Sequence, residues 1–390
     1  MIYVILTLII AFLSLIALMI IHEFGHFIIA KKFGVKVEEF GIGYPPRIFG
    51  KKFGETLYSI NLLPLGAFVK IHGEEGLDAR ASREAGAPVL GVDDYRSFSN
   101  LVIWKRVLII IGGVAAFWIA SIILFSVVFA IGADIPVGDQ DIAGLTNTRV
   151  QIISVAENSP AKDAGLEAGD VVLSFKLKDA EIKIDKIKDI QDFTKENAGK
   201  QITLVVERQG KIIETLLTPR VQAPQDQGAL GVGLERIGTL IKKYSWYQAP
   251  VKGALYTGEI TIKALQGLFI VFKDLFLGRG VPEGAALAGP IGITIFLANA
   301  VSFGPGFFLY FIASISVFVA IFNIFPIPAL DGGKLLFLAI EKIKGKPVSV
   351  KIEQNITAVF FFLLIIMSLF VTIKFDIPRF SDFIKSSLQR

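Results

Sequence analysis

The chain has 390 residues, 53% of them hydrophobic, and a mean hydropathy of +0.61. Because soluble proteins are about 45–50% apolar, this composition excludes an ordinary soluble protein and predicts an integral membrane protein. The lack of cysteine excludes disulfides, catalytic thiols and thiolate metal ligands. The net charge of +5 is spread along the chain without a dense basic block, which favours anionic lipid over nucleic acid as a partner.

Apolar runs long enough to cross a bilayer, about 20 residues each, lie near 2–29, 107–131, 306–327 and 357–373. They predict four transmembrane helices. The first run lacks the basic leading segment and the small-residue cleavage site of a signal peptide, so it is interpreted as a retained helix.

Basic residues are unevenly distributed between these runs. The connection between the first and second helices is rich in Lys and Arg, whereas the short N-terminal side has none. By the positive-inside rule this connection is cytoplasmic and both termini lie outside. The lysines between the third and fourth helices agree, so the long segment from about 133 to 244 is predicted to be extracytoplasmic.

The first apolar run ends in LMIIHEFGHFI, from Leu18 to Ile28, which places ionisable groups inside the bilayer. At the centre of a spanning helix each acidic or basic side chain costs on the order of 2.5–3.5 kcal/mol. His22 and His26, four residues apart, face the same side of a helix. With Glu23 between them, they offer two imidazoles to zinc and a carboxylate base to the water that zinc activates. The alternative, two histidines merely hydrogen-bonded in a bundle, is disfavoured because they are two of only three in the chain.

A catalytic zinc usually takes three protein ligands. Without cysteine the third is His72 or a carboxylate, and His72 lies in a polar loop far from the first helix, as expected for a surface residue. Asp331 follows an apolar helix and precedes two glycines that allow close backbone approach, so it is the favoured candidate. Its alternative role is a helix N-cap at the cytoplasmic surface.

Three segments outside the apolar runs have their own patterns. In residues 40–73, apolar and polar side chains alternate and are interrupted by Gly and Pro, which predicts short β-hairpins. Residues 147–221 contain short β-like runs, and ENSPAKDAGLEAGDVV at 157–172 predicts a short helix and a glycine turn before a strand. Residues 246–276 carry aromatic, apolar and lysine residues at helical spacing, which predicts a helix at the outer interface or one packed between the two parts.

Two segments, HEFGH at 22–26 and NIFPIPALDGG at 323–333, resemble the signatures of the site-2 protease family of intramembrane zinc metalloproteases, and specifically its bacterial branch with PDZ domains. The 157–172 segment resembles PDZ domains of bacterial envelope proteases. In the second helix the chain departs from the family, because IGGVAAF replaces its usual Ala-Gly-Pro-x-x-Asn. The resemblance implies Zn²⁺ bound by His22, His26 and Asp331, Glu23 as general base, and substrate contacts from Asn323, Pro326 and Pro328.

The fold class implied by the resemblance is a polytopic α-helical membrane protein with about four transmembrane helices, a membrane-associated β-hairpin region and one extracytoplasmic PDZ-like domain. The predicted divisions are a first membrane half (1–132), the PDZ domain (133–222), a linker with an interfacial amphipathic helix (223–304) and a second membrane half (305–390). The implied location is the bacterial cytoplasmic (inner) membrane, with the active site toward the cytoplasmic side.

The leading functional hypothesis is an intramembrane zinc endopeptidase that cuts transmembrane segments of single-span proteins. The resemblance implies regulated intramembrane proteolysis, for example of anti-sigma factors or remnant signal peptides. The alternative is a membrane-anchored PDZ scaffold with a non-hydrolytic metal site, which an intact Glu23 disfavours; a cation transporter would need ionisable residues in several helices. Expected partners are transmembrane protein or peptide substrates, membrane lipids and a peptide ligand of the PDZ domain, but no nucleic acid.

Overall fold

The protein is divided into an α-helical membrane part and a β domain at residues 134–240. The computed structural model describes residues 2–74, 95–132, 134–139, 145–177, 180–208, 210–224, 228–240, 244–279, 288–302 and 304–388. Its helices are α1 (Ile2–Lys32), α2 (Ile103–Ile131), α3 (Pro160–Asp163), α4 (Ile187–Glu196), α5 (Ala249–Phe276), α6 (Pro290–Ser302), α7 (Pro305–Ile324), α8 (Asp331–Lys344), α9 (Val350–Val371) and α10 (Ile377–Leu388). Its strands are β1 (Val37–Phe53), β2 (Thr56–Ile71), β3 (Asp134–Pro136), β4 (Leu145–Val155), β5 (Val171–Leu177), β6 (Ala180–Lys183), β7 (Ile202–Arg208), β8 (Lys211–Leu217) and β9 (Val232–Leu240).

Among the described residues, five helical segments are long and apolar enough, by length and composition, to cross a membrane. They are α1, α2, α5, α7 and the segment from α9 into α10. The additional candidate, compared with the four predicted, is α5, for which the sequence indicated an interfacial or packing helix. Its hydropathy is 1.2, the lowest of the five, because it carries lysines and two acidic residues among its apolar side chains.

Small residues allow α5 to pack closely against the rest of the bundle. A Cβ on Gly253 would lie 2.3 Å from the Ser126 Oγ of α2, so only glycine fits at this crossing. Farther along α5, Ala264 packs with the buried Val317 and Ile321 of α7. Close approach through small residues is the usual way in which helices associate in a membrane. The helix therefore contacts the bundle through one face of small residues, while most of its large apolar side chains, such as Leu255 and Phe269, stay exposed.

Helix α2 lies at the centre of the bundle, where it packs against α1, α5, α7 and α8. The approach to α1 is very close, because a Cβ on Gly25 would lie 2.3 Å from the carbonyl oxygen of Gly112. By contrast, no residue of α9 is buried by the described part of the chain. A helix that is apolar all round and unburied by protein is suited to contact lipid.

The β-hairpins predicted at 40–73 are confirmed as strands β1 and β2. These strands pair antiparallel, and each bends back on itself, so that Phe40 of β1 lies opposite both Tyr58 and Val69 of β2. The tip of the hairpin is attached to the end of α1, because Glu55 accepts a hydrogen bond from Lys31 at 2.5 Å and one from Arg96. These two hydrogen bonds lower the pKa of Glu55 to about 2.

The β domain contains one sheet with the strand order β3-β9-β4-β5-β7-β8, and β6 pairs with β5. The short helix and glycine turn predicted at 157–172 are present as α3, capped by Ser159, and a turn through Gly165 and Gly169, both at positive φ. The sheet continues past residue 222, where the sequence placed the end of the domain, because β9 pairs along the whole length of β4. Pairing between strands so far apart in sequence leaves little signal in the local pattern.

Candidate metal centre

Helix α1 brings the two histidines of HEFGH together. His22 and His26 lie one turn apart, and their ring centroids are 4.7 Å from each other. The His22 ring also stacks on Phe117 of α2, with a centroid distance of 4.8 Å and an interplanar angle of 20°. Packing against this aromatic ring restricts the orientation of the His22 imidazole.

The third candidate ligand reaches the histidines because α7 ends early. Helix α7 stops at Ile324, and two prolines follow at 326 and 328, where each removes a backbone donor and clashes with a preceding helical turn. The chain then turns and begins α8 at Asp331. Leu330 is the N-cap position of α8 and no side chain caps this end, so the structure does not use Asp331 as the cap.

The carboxylate of Asp331 instead lies against both imidazoles. Its Oδ2 atom is 2.8 Å from His22 Nε2 and 3.3 Å from His26 Nε2. One ligand atom from each of the three residues lies within 4.8 Å of the others, and no other group of three such residues occurs in the described ranges. His26 and Asp331 are only 6% and 8% exposed, which keeps bulk water from competing for this site.

Two further contacts select which atoms are available to a metal. His26 donates from Nδ1 to the carbonyl oxygen of Ile109 at 2.9 Å, which leaves Nε2 as the free lone pair. Glu23 Oε1 lies 3.3 Å from His22 Nδ1, on the side of the ring away from Asp331. Glu23 is therefore next to the cluster without being one of its three residues.

These residues fit a catalytic zinc site. Two neutral imidazole nitrogens and one carboxylate oxygen form a common donor set for Zn²⁺, with bonds of about 2.0–2.2 Å and one open position. A carboxylate must be ionised to bind a metal, so zinc binding at this site requires the carboxylate form of Asp331.

Glycines next to the cluster make the approach of its elements possible. A Cβ on Gly113 of α2 would lie 2.2 Å from His26 Nε2. On α8, a Cβ on Gly332 would lie 2.0 Å from the carbonyl oxygen of Phe325, and one on Gly333 would lie 2.3 Å from Pro328 Cα. The close approach predicted for the two glycines after Asp331 is confirmed. The sequence did not lead to a predicted role for Gly113, although the paired glycines of IGGVAAF were a signal of close helix packing at this point.

Replacing Gly113 by alanine is expected to weaken zinc binding by at least about tenfold, the lower range seen when an outer contact of a metal site is lost. The added methyl group would displace Nε2 of His26, the atom that faces the other ligands. Zinc affinity of the purified protein, measured by competition with a chromogenic chelator, checks this. Gly258→Ala in α5 is the control, because a Cβ there has open space; equal affinities for both variants would contradict the prediction.

The remaining sequence candidates are not among the three residues of the cluster. Asn323 is half-buried near the end of α7, and its side chain has no hydrogen-bond partner within the described part of the chain. Pro326 is exposed, whereas Pro328 is buried and its carbonyl oxygen accepts a hydrogen bond from Thr357 of α9 at 3.2 Å. His72 contacts Glu38 at 2.8 Å, is not part of the cluster, and is partly exposed as expected for a surface residue.

Comparison with known proteins identifies the family. The sequence profile of Peptidase family M50 matches residues 10–367. A protein of Clostridium perfringens named as a zinc metalloprotease is 31% identical over 369 residues, covering 93% of this chain and 96% of the relative. One of Brucella suis with the same description is 31% identical over 353 residues, covering 87% of each chain. The zinc metalloprotease RasP of Shouchella clausii is 28% identical over 423 residues, covering 93% of this chain and 97% of the relative.

The family match extends over both signature segments, and the three relatives are covered over 87–97% of their own length. They confirm the family resemblance and zinc as the cofactor. The protein therefore belongs to Peptidase family M50, the site-2 protease family, and is a zinc metalloprotease.

Proposed function

We propose that this zinc metalloprotease hydrolyses peptide bonds inside the membrane-spanning segments of single-span proteins. The observation that carries the proposal is the depth of the cluster in an apolar helix. His22 precedes Lys31, the first basic residue of α1, by nine residues or about 14 Å along the helix axis. A catalytic centre at this depth is suited to substrates that are themselves in the bilayer, and it lies nearer the lysine-rich end of α1, which we assign to the cytoplasmic side.

His22, His26 and Asp331 are the residues that would hold the metal. Bound zinc would supply Lewis acidity to the peptide carbonyl and to the attacking water. Glu23 is placed beside the ligands, 3.3 Å from His22, with its side chain 19% exposed. As general base it accepts a proton from the water whose oxygen attacks the carbonyl carbon, and it then delivers this proton to the amine nitrogen as the C–N bond breaks.

Substrate must unwind to reach these residues, because a transmembrane helix keeps its carbonyls in its own hydrogen bonds. The segment between α7 and α8 is non-helical and lies next to the cluster, so its backbone groups are suited to bind an unwound substrate. Asn323, which has both a donor and an acceptor, is assigned to hold the substrate backbone. Pro326 and Pro328 keep this segment open by ending α7.

We assign a second contact to an edge of the β1–β2 hairpin. A substrate made extended by the active site can add as a strand to such an edge, with main-chain hydrogen bonds replacing those of its lost helix. The hairpin carries exposed apolar residues suited to a membrane-associated position, among them Ile48, Phe49 and Leu65.

The β domain is assigned as an extracytoplasmic PDZ-like domain. Its short capped helix, glycine turn and following central strand β5 agree with the segment that suggested a PDZ fold. Such a domain binds the end of an extended peptide by strand addition or limits the size of the outer part of a substrate. In a bacterial inner membrane, suitable substrates are anti-sigma factors already shortened by another protease and remnant signal peptides.

The test is cleavage of a panel of single-span reporter proteins by the purified full-length protein in liposomes, with product ends mapped by mass spectrometry. We expect ends inside the span and loss of cleavage when a zinc chelator is added, followed by recovery when zinc is restored. Cuts confined to the soluble flanks would contradict an intramembrane activity. No cleavage of any reporter by zinc-loaded protein would favour the scaffold alternative.

A further inference from the structure

A buried ion pair connects α2 to the helix that carries Asp331. The Arg106 guanidinium of α2 donates from Nη1 and Nη2 to the two carboxylate oxygens of Glu341 in α8, at 3.0 and 2.6 Å. The two side chains are only 6% and 16% exposed. Bidentate pairing of this kind fixes orientation as well as distance.

Neither charge is favourable on its own helix. Arg106 lies in the first turn of α2, at the positive end of the helix dipole, and Glu341 lies in the last turn of α8, at the negative end. Buried charges are also costly unless they are paired. The bidentate contact with Glu341 compensates the Arg106 charge, which is unfavourable at its own helix end, and it joins α2 to α8.

The ion pair is one of several contacts of α8, among them an ion pair of Lys334 with Glu74, and it lies near the end of the helix opposite Asp331. At the N-terminal end of α8, Gly332 and Gly333 lie against the backbone of 325–328 so closely that a Cβ would not fit. Glu341 is ten residues, or about 15 Å, farther along the axis from Asp331. A rigid helix held at two separated points has a defined tilt and rotation, and Asp331 is the first residue of this helix.

The same end of α2 also positions a histidine ligand. Ile109 is one turn after Arg106, and its carbonyl oxygen accepts the Nδ1 hydrogen bond of His26. The Ile109 and Ile110 side chains are buried in one cluster with Leu338 of α8. The first turns of α2 therefore contact the element that carries Asp331 and the side chain of His26 at once.

We propose that Arg106 and Glu341 are positioning residues that set the distance between Asp331 and the two histidines, and through it the affinity of the site for zinc. The inference rests on the metal site proposed above. Removing either partner takes away the bidentate contact that fixes α8 relative to α2 near its C-terminal end. We expect zinc affinity to fall by roughly tenfold, as for other outer contacts of metal sites.

The test compares Arg106→Gln, Glu341→Gln, the double neutral variant and the exchanged pair Arg106→Glu with Glu341→Arg, all as full-length protein in detergent. Zinc affinity is measured by chelator competition, and the absorption spectrum of cobalt-loaded protein reports ligand geometry. The exchanged pair puts each charge at the favourable end of its helix, so it should fold and restore affinity to within about threefold of wild type. The double neutral variant, which contains no unpaired charge, should stay folded and bind zinc weakly.

Arg208→Gln is the matched control, because Arg208 also pairs with a fully buried carboxylate, Asp170, at 2.6 Å, but in the β domain. It should leave zinc affinity unchanged. Wild-type affinity in the neutral variants, or an exchanged pair that folds but binds as weakly as they do, would overturn the inference. The variant His22→Ala, measured alongside, separates the two proposals. If His22→Ala retains zinc, the proposed metal site is wrong. If His22→Ala loses zinc while the Arg106 and Glu341 variants keep it, only the positioning role fails.

Discussion

Replacing Asp331 by alanine is expected to remove bound zinc from the purified protein, with a fall in affinity of at least roughly 100-fold. Loss of an outer contact alone costs about 10–100-fold, and this change removes one of only three protein ligands. The carboxylate lies 2.8 and 3.3 Å from the two imidazole nitrogens, and the described part of the chain contains no other group of three residues that could hold a metal ion. The measurement is metal content after gel filtration, together with affinity by chelator competition.

The control for this change is Asp376→Asn, at a buried aspartate of the membrane part that accepts a hydrogen bond from the Gly289 amide at 3.1 Å, away from the cluster. The oxygen of the introduced side-chain amide still accepts the hydrogen bond from the Gly289 amide, so this variant should keep its zinc. Full zinc occupancy in Asp331→Ala would show that the third ligand lies elsewhere. Loss of zinc in both variants would attribute the effect to unfolding of the membrane part.

Replacing Glu23 by glutamine is expected to reduce peptide hydrolysis by about 10²–10⁴-fold, the usual contribution of a positioned general base. Glutamine has the shape of glutamate but does not accept a proton at neutral pH. Zinc affinity should stay near that of wild type, since Glu23 is beside the three ligands and not among them. The measurements are the initial rate of reporter cleavage in liposomes and the zinc content of the same preparation.

Glu259→Gln is the control for Glu23, because Glu259 is also a carboxylate of a membrane-part helix and pairs with Lys263 at 2.8 Å, outside the cluster. Its cleavage rate should equal that of wild type. Equal cleavage by the Glu23 variant would mean that another group acts as the base. A loss of zinc that parallels the loss of activity would make Glu23 part of the metal site and contradict the assigned role.

Local features of the sequence were sufficient to predict several elements. The spacing of His22 and His26 predicts two rings on one side because four residues are close to one helical turn. The prolines at 326 and 328 predict the end of α7 because proline removes a donor wherever it occurs. Alternation and turn residues predicted the hairpins at 40–73 in the same way. Each of these predictions depends on residues within a few positions of one another.

Other features were decided only by the tertiary structure. Asp331 meets His22 across 309 residues, and Arg106 meets Glu341 across 235. The close crossing at Gly113, the packing of α5 and the pairing of β9 with β4 likewise have no local pattern that identifies their partners. Such contacts depend on how whole helices and strands pack, where every interior side chain contributes to one arrangement. The sequence by itself therefore determined which residues can do the chemistry, whereas packing across the chain decided that they meet.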